Sequence, residues 1–84
     1  MTGADPHPCP VCEHLTLSAP SPSGESCAIC GWRDDLPPDA DPSETGGNRI
    51  KLARARVNFR CLAVSDPGRR SEVRPPRPEE LPPA

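Results

Sequence analysis

The chain is 84 residues long, carries a formal net charge of −2 and is 33% hydrophobic, against the roughly 45–50% apolar content of an ordinary globular domain. This length admits one domain at most, and so small a domain rarely buries enough apolar surface to fold without a disulfide, a metal or a partner chain. Fourteen prolines exclude long regular elements where they cluster, and no apolar run approaches the roughly 20 residues of a membrane span, which excludes a membrane partner.

The opening segment MTGADPHPCP lacks the apolar stretch a secretory signal needs, so the chain reads as cytoplasmic. In that reducing setting thiols bind metal or do redox chemistry more often than they form structural disulfides. An odd count of five cysteines points the same way. The small net charge conceals a segregation: residues 1–48 hold eight acidic residues and one basic, whereas residues 49–70 hold seven basic and one acidic. A basic segment is therefore expected to face an acidic one.

In chain order, residues 1–8 are polar and Pro-rich and read as a flexible lead-in. His14 to Ser18 alternate polar and apolar, the period-2 pattern of a half-buried strand with Leu15 and Leu17 inward. A turn at Ala19 to Gly24 and a second short strand at about Glu25 to Ile29 complete an expected hairpin with a cysteine pair at each open end. Residues 36–48 are rich in Pro, Asp, Gly and Ser and read as a loop. Residues 49–62 form the one convincing helix, with Asn48 the best N-cap and with Leu52, Ala55, Phe59 and Leu62 on one face. That stripe needs something to pack on, and Trp32 is the largest residue on offer. From residue 63 to 84 the chain is poor in large apolar residues and reads as a disordered or polyproline-like tail.

The chemistry is concentrated in Cys9, Cys12, Cys27 and Cys30, spaced C-x2-C-x14-C-x2-C. One CxxC turn aims two sulfurs at a common point, and two such turns complete a tetrahedron around Zn²⁺. The intervening gap falls just short of the usual range of roughly 15 to 20 residues. Iron in the same geometry, two disulfides, or a redox dithiol are the competing readings. Disulfides require export, and a thioredoxin-like dithiol requires a βαβ setting that is missing here. His7 and His14 read as surface residues, and Cys61, on the far side of the helix from the apolar stripe, reads as a free thiol. The expected architecture is a small metal-stabilised α+β domain, 9–62, in which a zinc-ribbon-like β-hairpin with two CxxC knuckles is followed by one amphipathic α-helix and flanked by disordered Pro-rich termini.

Several of these pieces resemble the cysteine-rich CPCC family of small bacterial proteins. They are PCPVC (Pro8 to Cys12), LTL (Leu15 to Leu17), CAICGWRDD (Cys27 to Asp35), Asp41-Pro42, GGN (Gly46 to Asn48) and LARARVNF (Leu52 to Phe59). The family's first knuckle has the form Cys-Pro-Cys-Cys, whereas Val11 stands at its third position here, and the surviving outer pair supports Cys9 and Cys12 as ligands. The family tends to have Ser before the helix's Leu and Glu two after it, where this chain has Lys51 and Arg54. An Arg-, Ala- and Pro-rich composition suits a high-GC bacterial genome.

No Ser/His/Asp set, phosphate-cradling Gly loop or paired carboxylates can be read in the chain, and a saturated Cys₄ site has no open position, so an enzyme is not expected. The expected role is a module with one structural Zn²⁺ that contacts a protein partner. The alternative is nucleic-acid binding along a row formed by Arg49, Arg56 and Arg60 beside the apolar stripe, opposed by the acidic whole-chain charge and the lack of spare aromatics.

Overall fold

The computed structural model describes residues 6–82. Its two-stranded antiparallel sheet pairs β1 (His7–Pro8) with β2 (Leu15–Leu17), in the register His7 to Leu17 and Pro8 to Leu15 with an irregularity between the two. β2 thus lies where the alternation in LTL puts it, but its partner precedes the first cysteine pair instead of following the turn at 19–24. The expected second strand at 25–29 is reduced to an isolated bridge between Ser26 and Arg33. The physical reason is local: each CxxC turn folds back on itself, so the chain on either side of each turn pairs with itself. His7 and Pro8, read as part of the lead-in, are consequently a strand, while residues 1–5 lie outside the described residues.

The helix α1 runs from Leu52 to Leu62 and so begins three residues later than the pattern suggests. Its N-cap is Lys51, with no side-chain cap bond. The preceding loop caps it instead, because the Leu52 and Ala53 N–H groups donate to the Glu44 and Pro42 carbonyls at 3.0 and 2.9 Å, satisfying donors a helix start leaves open. Asn48 is drawn away from the cap. Its carboxamide accepts from Arg33 N and donates to Arg33 O, at 2.8 and 2.9 Å, pinning the loop to the chain just after the second cysteine pair. At the other end Ala63 adopts a left-handed conformation (φ 61°), and its N–H closes on Phe59 O.

The chain after the helix is ordered, against the expectation of a disordered tail. Val64, Ser65 and Asp66 are buried, followed by short 3-10 helices at Pro67–Glu72 and Pro78–Glu80. Hydrogen bonds hold this segment where apolar burial is scarce. Asp66 accepts from Gly68 N and pairs with Arg49 at 3.2 Å, which together keep its carboxyl below the usual carboxylate range. Arg74 pairs with Glu80 through both guanidinium nitrogens at 2.8 and 2.6 Å, and with the Arg77 N–H this lowers the Glu80 carboxyl to about 2. Bidentate geometry of this kind recovers in polar contacts what composition alone would not suggest.

The core is built on Trp32, Leu17, Ile29, Val11, Leu36, Leu52, Ala55 and the four clustered cysteines. Leu15 is half-buried and Phe59 packs on the core's margin. Leu62, assigned to the same stripe, is 40% exposed. The stripe's last turn overruns the small core, which ends at Phe59. Leu52→Ala is therefore expected to destabilise the metal-loaded protein by about 2–5 kcal/mol, and Leu62→Ala by no more than about 0.5 kcal/mol, in chemical denaturation. Equal losses at the two positions would contradict this account of the helix.

Candidate metal centre

Both cysteine pairs sit in turns closed by the same pair of backbone bonds. In the first, Cys9 N donates to His14 O at 2.9 Å and Glu13 N donates to Cys9 O at 2.8 Å. In the second, Cys27 N donates to Trp32 O and Gly31 N donates to Cys27 O, both at 2.8 Å. Position by position, Val11 corresponds to Ile29, Glu13 to Gly31 and His14 to Trp32. Val11 and Ile29 are both buried in the core, so the third position of each turn packs inward with the core while the two outer cysteines supply sulfur. This explains how the first turn dispenses with a cysteine at position 11.

The four Sγ atoms lie within 4.8 Å of one another, and all four residues are buried. Across the turns, Cys9 Sγ is 3.6 Å from Cys30 Sγ and Cys12 Sγ is 3.6 Å from Cys27 Sγ. A disulfide requires about 2.05 Å, whereas a tetrahedron of thiolates around a metal at about 2.3 Å places its sulfurs about 3.8 Å apart. The donor set fits a metal ion in both chemistry and spacing. His14 lies outside the cluster, its ring edge-on to Phe59 at 5.9 Å, and Cys61 is exposed on the helix.

Hydrogen bonding from Cys12, and then from Cys30, Cys9 and Thr16, pulls the Cys27 thiol well down. The bond to Cys27 pushes Cys12 up, and the bond to Cys12 leads the causes that push Cys30 up. Four thiolates at this spacing would repel one another, so a bound cation, displacing the thiol protons, would favour their full ionisation. Around the cluster, Thr16 Oγ1 donates to Cys27 Sγ at 3.1 Å. Arg56 Nε donates to Pro10 O on the first turn at 3.0 Å, and Arg69 Nη1 donates to Gly31 O on the second at 2.6 Å. Each turn therefore carries a guanidinium, placed to offset the excess negative charge that four thiolates around a dication would have.

The post-helix segment grips the second turn. Ser65 N and Oγ both donate to Cys30 O at 2.7 Å, and Arg74 N donates to Ala28 O at 3.0 Å. Gly31 is glycine for a conformational reason: φ is +83°, and a Cβ there would meet Arg69 Cβ and Val73 Cγ1 at 3.3 Å. Glu13 holds the matching left-handed position at φ 66°. Neither Thr16 nor this clasp could be read from the cysteine spacing. The only hint was a hydroxyl at the central position of LTL.

Of the other residues singled out in the sequence, Arg49 lies outside the helix and pairs with Asp66, whereas Arg56 and Arg60 stand on successive turns of α1. The row of three is thus broken.

Thr16→Val is expected to weaken metal binding about tenfold, measured by competition with a chromophoric chelator. An unchanged affinity would remove the hydroxyl from the site. Because the left-handed conformation costs about 1–2 kcal/mol for a residue with a Cβ, Glu13→Gly should raise stability or leave it unchanged, and Gly31→Ala should lower it by at least about 1 kcal/mol in the same denaturation assay.

Compared with known proteins, the sequence matches the family described as Cysteine-rich CPCC over residues 7–80. No curated protein and no solved structure matches it. The matched range includes both cysteine turns, the helix and the post-helix clasp, and on that ground the chain belongs to the cysteine-rich CPCC family.

Proposed function

We propose that the chain is a non-catalytic module in which one structural Zn²⁺, held by Cys9, Cys12, Cys27 and Cys30, fixes the fold and presents a surface to a protein partner. The observation that carries this reading is the closed donor set: four buried sulfurs at tetrahedral spacing fill a metal's coordination and leave no position for water or substrate. Zinc is favoured over iron because a d¹⁰ ion takes its geometry from the ligands and needs no redox partner. The nucleic-acid alternative is weakened by the pairing of Arg49 with Asp66 and by the engagement of Arg56 with Pro10 O. Trp32 is fully buried, which removes it as a stacking platform.

Elemental analysis of the purified protein is expected to give one zinc per chain, and chelation to abolish its circular dichroism signature. Cys27→Ala should fail to fold, and Cys61→Ala should keep both metal and fold. A chain that stays folded without metal would end this reading.

A further inference from the structure

Phe59 is the shared wall of two cavities. One, of about 330 Å³, is lined by Ile29, Leu62, Val64, Val73 and Pro75, with the exposed Arg70 among its lining residues. The other, of about 310 Å³, lies against the first metal turn between Val11, Arg56 and Arg60. Leu62 is 40% exposed although apolar. Arg74, which also lines the first cavity, is matched by Glu80, but among the described residues no carboxylate lies within ion-pair distance of Arg56, Arg60 or Arg70. Glu13 lines the second cavity without pairing to either arginine there.

An apolar trough flanked by unmatched guanidiniums complements a ligand that carries a large apolar side chain with carboxylates on either side of it. The size of the apolar cavity is at the lower limit for a drug-sized ligand, roughly 300 Å³, and suits one or two inserted side chains. Exposed ion pairs alone contribute little, so the apolar side chain must anchor the contact while the charges orient it.

We propose that this double cavity docks an acidic segment of a partner protein, with a leucine-like side chain entering beside Leu62 and Val73 and its flanking Glu or Asp carboxylates pairing with Arg60 and Arg70. The proposal rests on the module role above and names its partner's chemistry.

The test uses the metal-loaded full chain and a fluorescent synthetic peptide, Glu-Glu-Leu-Glu-Glu-Leu-Glu-Glu, followed by anisotropy at moderate salt. Saturable binding is expected. Replacing both leucines of the peptide by serine should weaken it at least about tenfold, about 1.4 kcal/mol, and Leu62→Ser and Arg70→Glu in the protein should each do the same. No binding, equal binding of the serine peptide, or equal displacement by a short oligodeoxynucleotide would overturn the proposal, the last in favour of a general polyanion surface. Metal stoichiometry and circular dichroism separate the two readings: absence of peptide binding by the unmutated chain with zinc and fold intact would sink the docking site and spare the metal module, and a variant's loss of binding supports the site only where its zinc and fold are intact.

Discussion

Everything in this chain depends on bringing four sulfur atoms to one point. The cysteines make up a third of the buried apolar residues, and they occupy the centre of a core whose other large members are Trp32 and a few aliphatic side chains. An apolar cluster of that size cannot by itself repay the ordering of so many residues. A metal ion held by the four sulfurs would supply the missing free energy and also set the geometry, since the two turns can share one ion only if the intervening chain and the helix take the positions they do.

The two turns are built alike, with the same pair of backbone bonds and an inward apolar residue at the third position. The site therefore has a local repeat that the spacing of its cysteines already showed. The cluster, the inward Leu17 and a helix ending at Leu62 were legible because each follows from a short-range pattern, and the buried Trp32 because so few large residues are on offer. What was not legible is long-range and polar. Asn48 has the sequence signature of an N-cap yet serves Arg33 fifteen residues away, and no periodicity encodes that choice. Leu62 fits the apolar stripe, but the extent of a core is a property of the folded whole.

The tail departs from what its composition suggests for a related reason. Its composition is that of a segment unable to bury apolar area, and it does not fold by doing so. It is held through Ser65, Arg69 and Arg74 to carbonyls of the second cysteine turn, and through Asp66 and Glu80 to arginines. Charged residues that look like solvated filler in the sequence become ties once a rigid turn offers them acceptors. The segregation of charge along the chain does not act through ion pairs between basic and acidic segments: among the described residues each ion pair lies within one segment, and Arg56 and Arg69 reach carbonyl oxygens of the first half instead.

The grip of Ser65 and Arg74 on the second turn also bears on the order of events as the chain is made. The four clustered cysteines precede in the chain the donors to the Cys30 and Ala28 carbonyls, Ser65 and Arg74, and so leave the ribosome before them. A nascent chain can thus gather its four sulfurs while the carbonyls beside them still face water. An ion bound at that stage would enter an open half-domain, over which Ser65 and Arg74 then close from behind.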